Sequence, residues 1–105
     1  MKNCEIIAEI ANAHCGDFLK LKKLIKIVSD CGAKNIKFQI FDPSTLMIRS
    51  HPDYDLLVSF CFNENQWAEV GDLCKKYNLN VYCDIFDEAS LEVSKVLYPM
   101  GIKVH

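Results

Sequence analysis

Glu9 stands inside the apolar run Ile6-Ile7-Ala8-Glu9-Ile10, and a carboxylate in a buried strand costs several kcal/mol unless it is paired. Lys37 and Gln39 alternate with Ile36, Phe38 and Ile40, so a cation and an amide donor share one strand face. Asp84 alternates in the same way with Cys83 and Ile85, and Lys103 and His105 with Ile102 and Val104. Asn12 and His14 follow Glu9 in the polar loop that ends at Gly16. A polar strand face is either open to water or turned into a barrel or crevice where polar groups work. Taken singly, each group has a plain reading as well. Glu9 and Lys37 could form an ion pair, Gln39 could be a structural amide, and His14 could cap its loop.

The elements that would carry these groups repeat one plan. The first strand is expected over 5–10, with Ile7 and Glu9 on one face and Ile6, Ala8 and Ile10 on the other. Asp17 is a plausible N-cap, and Phe18, Leu21, Leu24, Ile25 and Val28 then form one helical stripe that Gly32 stops. Lys20, Lys22, Lys23 and Lys26 fall largely off that stripe and read as a solvated face. The second strand covers 35–40. Residues 41–62 sustain no stripe, and Pro43, Pro52 and the turn signal Asp42-Pro43-Ser44 predict a substrate-side excursion with short elements, where His51 reads as a surface histidine.

Asn63 with Gln66 predicts a capping box ahead of a helix carrying Trp67, Val70, Leu73, Cys74 and Tyr77, which Asn78 ends. Trp67 reads as its packing anchor. A third strand is expected over 80–86, then a helix over 88–97 capped by Asp87 and presenting Ala89, Val93, Val96 and Leu97. Residues 102–105 begin a fourth strand.

This (βα)₃β order is α/β, with parallel strands and right-handed crossovers. No GxGxxG follows the first strand, which disfavours a dinucleotide-binding unit. If the apolar strand faces meet the helices, then Glu9, Lys37, Gln39, Asp84, Lys103 and His105 point inward, as in a (β/α)₈ barrel whose active groups sit at the C-terminal strand ends. Residues 1–105 would then be an incomplete, N-terminal portion of a TIM barrel: three βα units and the start of strand 4. Such a piece leaves open strand edges, so the expectation is a longer chain or pairing with a second copy, and the piece alone is expected to be inactive.

The totals agree. The chain has 105 residues, half of them apolar and a quarter charged, which suits one domain. A net charge of -2 makes no case for a nucleic acid or an anionic membrane. No apolar run reaches the length of a membrane span, and Met1-Lys2-Asn3-Cys4 leaves no room for a signal peptide, so a cytoplasmic location is expected. Cys4, Cys15, Cys31, Cys61, Cys74 and Cys83 form no CxxC pair and read as structural or incidental thiols.

Three stretches in order resemble the N-terminal part of the sialic acid synthase family, the N-acetylneuraminate synthases and their relatives. Ile7-Ala8-Glu9-Ile10 followed by Asn12, His14 and Gly16 is similar to the family's AEIG-x-NH-x-G. Gly32-Ala33 with Ile36-Lys37-Phe38-Gln39 is similar to GAD-x-x-KFQ, and Gln66-Trp67 through Phe86-Asp87 to its QW…STPFD region. The likeness spans nearly the whole chain.

The resemblance implies a TIM barrel followed by a small antifreeze-like domain. It implies a transferase that condenses phosphoenolpyruvate with an N-acylated amino sugar, usually N-acetylmannosamine, and releases phosphate. C3 of phosphoenolpyruvate attacks the sugar aldehyde, a divalent metal (manganese or magnesium) activates that aldehyde, and water attacks C2 before C–O cleavage. Phosphoenolpyruvate needs cations and amide donors. By resemblance Lys37 and Gln39 contact it and Lys103 adds a second cation. Glu9 is the catalytic candidate, orienting groups or managing a proton. Asn12 and His14 would lie at the mouth, within reach of the sugar. The family's metal histidines fall beyond residue 105, so no metal ligand is expected here, and His105 matches neither of them.

The departures are specific. Ala11 replaces a usual glycine, Ala13 stands where asparagine is common, and Cys83-Asp84-Ile85 replaces Ser-Thr-Pro. Asp84 thus occupies a substrate-binding position where the family has a donor, and an ionised carboxylate repels phosphate unless Lys37 or Lys103 pairs with it. A homodimer is expected. The alternative is a non-catalytic barrel serving as a binding or assembly module; an aldolase-like enzyme is disfavoured by the first two motifs.

Overall fold

The computed structural model describes residues 4–105. Strand β1 (Ile7–Ala11) leads into helix α1 (Phe18–Asp30), β2 (Asn35–Ile40), the short helices α2 (Pro43–Leu46) and α3 (Tyr54–Ser59), and α4 (Glu64–Lys76). Then come β3 (Asn80–Ile85), α5 (Glu88–Ser94), one 3₁₀ turn (Lys95–Leu97) and β4 (Gly101–Val104). The strands form one parallel sheet in the order β1-β2-β3-β4. That is the α/β pattern read from the sequence, with each crossover made by helix.

Local signals account for the boundaries. The Asp17 side chain accepts from the Lys20 N–H at the start of α1, and Gly32 takes a positive φ just past its end. At α4, Asn63 and Gln66 form the expected capping box, with bonds of 2.8 and 2.9 Å. β2 has the expected bounds. β1 begins two residues later than expected and ends one later, β3 ends one residue earlier, and β4 begins and ends one residue earlier.

The apolar strand faces pack on the helices. Phe38, Ile36 and Cys83 are wholly enclosed with Leu21, Ile25, Val70 and Cys74 from α1 and α4. Trp67 anchors this layer as expected, its ring 5.6 Å from Phe38 and 5.5 Å from Phe62. Gly71 lets α4 approach the 3₁₀ turn; a Cβ there would lie 2.8 Å from the Val96 carbonyl oxygen.

Beyond α5 Leu97 is buried, and Val93 and Val96 pack against the core as expected, but the face also includes two serines and leaves out Ala89. Ser90 and Ser94 are the buried residues of α5, Val93 and Val96 are partly buried, and Ala89 is exposed. Ser94 tolerates this because its hydroxyl donates back to the Leu91 carbonyl at 2.6 Å. Among the described residues no helix is long and apolar enough to cross a membrane. All six cysteines are free, and burial pushes the Cys74 and Cys83 thiols up to about 12, which makes them inert packing groups.

Candidate functional site

In parallel strands, residues at one register level present their side chains to the same face. Glu9 lies opposite Lys37, and Asp84 lies opposite both Gln39 and Lys103. The face away from the helices therefore gathers the expected polar set from four strands.

Lys37 is its centre. The Lys37 Nζ lies 3.0 Å from Glu9 Oε2 and 3.3 Å from Asp84 Oδ1. The hydrogen bond to Glu9 is the largest influence on its pKa and holds it above 10.5, against the opposing effect of burial. The three side chains differ in exposure: 43% for Glu9, 19% for Lys37 and 4% for Asp84. The Glu9–Lys37 pair is thus wet, whereas Asp84 is shut away from water. Asp84 Oδ1 is buried and lacks hydrogen-bond geometry, so its hold on Lys37 is a charge contact.

The series continues across the sheet. Asp84 Oδ2 lies 3.8 Å from the Nε2 of His105. The His105 ring stacks on Phe86 with centroids 4.3 Å apart and planes 10° apart, and Phe86 meets Phe41 edge-on at 6.1 Å. Lys103 is exposed and has no ion pair among the described residues; Gln39 is half-buried. The arrangement offers an anion one exposed lysine and one lysine already held by two carboxylates.

The β1–α1 loop supplies the remaining two expected residues. Asn12 is half-buried, and its Oδ1 has no hydrogen-bond partner. His14, expected at the mouth, is 1% exposed: its Nδ1 accepts from the Gly16 N–H at 2.9 Å and its ring packs 4.7 Å from Phe62. Burial, and then the charge of Lys20, holds its pKa below 6.5. The structure therefore joins Glu9, Lys37, Asp84 and His105 by contact, sets Gln39 and Lys103 beside them in register, and places His14 in its own loop.

Asp87 has a role beyond its expected cap. Its Oδ1 accepts from the Ser90 N–H, while its Oδ2 accepts from the Asp42 N–H at 2.8 Å and from the Thr45 hydroxyl. This one carboxylate ties the ends of β2 and β3 together at the rim. Burial alone would raise its pKa, but these donors outweigh it and hold the group below 3.8. The Phe86–His105 stack was also missed, although both residues follow the inward alternation.

No group of three or more His, Cys, Asp or Glu able to hold a metal occurs among the described residues. Glu9 and Asp84 are separated by the Lys37 ammonium, which repels a cation. These residues do not fit a divalent metal. A cleft of about 560 Å³ lined by Glu5, Ile6, Cys31, Lys34 and Asn35 lies at the N-terminal strand ends. Open parallel sheets bind ligands at the opposite, carboxyl ends, where the polar set lies.

No family model matches the chain. It is 26% identical, over 114 aligned positions, to an N,N'-diacetyllegionaminic acid synthase of Legionella pneumophila, covering 95% of this chain and 31% of that protein. It is 27% identical, over 113 aligned positions, to an uncharacterized protein of Methanocaldococcus jannaschii, covering 94% of this chain and 34% of the other. The chain spans about a third of the length of these relatives.

Among solved structures, it is similar to N-acetylneuraminic acid (sialic acid) synthetase from Leptospira borgpetersenii in complex with citrate. The TM-score is 0.88 at 22% identity, over 98% of this chain and 36% of that one. Spore coat polysaccharide biosynthesis protein SpsE of Bacillus subtilis gives 0.71 at 24% identity, over 98% of this chain and 30% of that one. The resemblance read from the three motifs thus meets the same kind of relative, and the fold is shared with the N-terminal part of these structures.

Proposed function

We propose that the chain forms the first four strands of a (β/α)₈ barrel of a nonulosonic acid synthase and carries part of its active site. The reaction is the condensation of phosphoenolpyruvate with an N-acylated amino sugar such as N-acetylmannosamine, with release of phosphate. The observation that carries this reading is the polar set centred on Lys37, on the face away from the helices, in a fold shared with a sialic acid synthetase.

In this reading Lys37 and Lys103 take the carboxylate and phosphate of phosphoenolpyruvate, and Gln39 donates its amide. Glu9 holds the Lys37 ammonium in place and manages a proton near the reacting carbon. The Asn12 carbonyl oxygen is unpartnered but buried, and a shift of its loop would offer it to a hydroxyl or N–H of the sugar. His14 acts from inside the loop, fixing the turn that carries Asn12. A cytoplasmic location and a homodimer belong to the same reading.

One observation favours a second reading, a binding or assembly module without catalysis. Asp84 already occupies Lys37, and a carboxylate opposes an anionic substrate.

Calorimetric titration of phosphoenolpyruvate into the chain and its Lys37→Ala variant separates the two. Binding that weakens at least about tenfold in the variant, roughly 1.4 kcal/mol, supports the enzyme reading. Absence of binding to the unaltered chain supports the module.

A further inference from the structure

We infer that His105 is a positioning residue for the anion subsite: protonated, it takes over Asp84 from Lys37 and frees the ammonium for the incoming anion. This rests on the enzyme reading and goes beyond it, because Asp84 stands in place of the family's donor and His105 matches no functional residue in the motifs.

Asp84 is 4% exposed, and an ionised carboxylate so enclosed needs a countercharge. Lys37 Nζ supplies it at 3.3 Å and is also held by Glu9 at 3.0 Å. An anion that recruits Lys37 would strip Asp84 of its partner unless another cation replaced it. Gln39 is neutral. Lys103 lies opposite Asp84 in register but makes no ion pair with it. His105 is already 3.8 Å from Asp84 Oδ2, and its ring is held flat against Phe86. A small shift closes that gap, while Lys103 stays exposed to meet the ligand.

The charges around His105 point the same way. Glu9 and Asp84 contribute two negative charges, and Lys37 and Lys103 two positive ones, so the set is neutral until His105 gains a proton. Asp87 and Glu88 at the start of α5 line the same cleft as His105. Asp87 is occupied by the Asp42 and Ser90 N–H groups and does not compete for the ring. An anion that takes Lys37 therefore leaves Asp84 to His105.

The test is calorimetry with phosphoenolpyruvate near pH 7 in two buffers of different ionisation heat. The unaltered chain should take up close to one proton per ligand bound. His105→Gln should lose that uptake and bind about tenfold or more weakly. His105→Lys should bind well without uptake, and Asp84→Asn should rescue binding in the His105→Gln background. Proton uptake that persists in His105→Gln, or unchanged affinity in that variant, overturns the role of His105 while leaving the enzyme reading intact. If neither the unaltered chain nor Asp84→Asn binds phosphoenolpyruvate or inorganic phosphate, the enzyme reading fails and this role falls with it.

Discussion

The ammonium of Lys37 lies 3.3 Å from an oxygen of Asp84, a carboxylate that is almost wholly enclosed. This pair decides how the inner face behaves. Lys37→Ala leaves the buried Asp84 only His105, 3.8 Å away, whereas Asp84→Asn leaves Lys37 with Glu9 and water. Removing one partner of a buried pair costs about 3–5 kcal/mol, and water on the Lys37 side reduces that to roughly 2 kcal/mol. Urea unfolding should show this loss for Lys37→Ala, little change for Asp84→Asn, and recovery of most of the loss in the double variant.

Gly16 has a φ of +77°, and a Cβ there would overlap the carbonyl oxygen of Ser59 at the end of α3. Backbone cannot yield as a side-chain tip can. Gly16→Ala should destabilise the chain by roughly 2–4 kcal/mol. Because the clash joins the β1–α1 loop to the 41–62 excursion, amide exchange should accelerate in both segments together.

Ala11 takes a φ of +48° where the register slips between Glu9 and Ala11. A Cβ in the left-handed region costs roughly 1–2 kcal/mol, partly offset by the freedom of glycine in the unfolded chain. Ala11→Gly should therefore raise stability by roughly 0.5–1 kcal/mol in thermal or urea unfolding.

His14 is held neutral by burial and by Lys20, with its pKa below 6.5. The folded state resists the proton more than the unfolded state does. The stability from neutral His14 is full above about 6.5 and is lost as the pH falls through its lower folded value. His14→Asn keeps an acceptor for the Gly16 N–H and cannot charge. Urea midpoints should fall between pH 7 and pH 5 in the unaltered chain, and fall less in this variant.

How much of this was legible depended on the kind of signal. β2 and α4 were read with their bounds and caps because strand alternation and a capping box are local codes. Val93, Val96 and Leu97 were read correctly, but Ser90 and Ser94 escaped the reading of that face because they look polar, while their hydroxyl or backbone bonding is met within the helix. The short helices α2 and α3 have one buried residue between them, Pro43, so no apolar stripe announced them. Alternation showed that Asp84 and His105 share a face. Their pairing depends on the β3–β4 register and the Phe86 stack, neither of which is written in residue spacing. The motif histidine, His14, carried a resemblance to a rim position, yet Phe62 arrives from 48 residues away to cover it.

The central claim is that Lys37 receives an anion on the face away from the helices, and a crystal structure with phosphoenolpyruvate tests it most directly. The carboxylate or phosphate of the ligand should lie about 3 Å from Lys37 Nζ, with Lys103 turned toward it and Asp84 drawn onto His105. A ligand bound elsewhere, with Lys37 still held between Glu9 and Asp84, would contradict it.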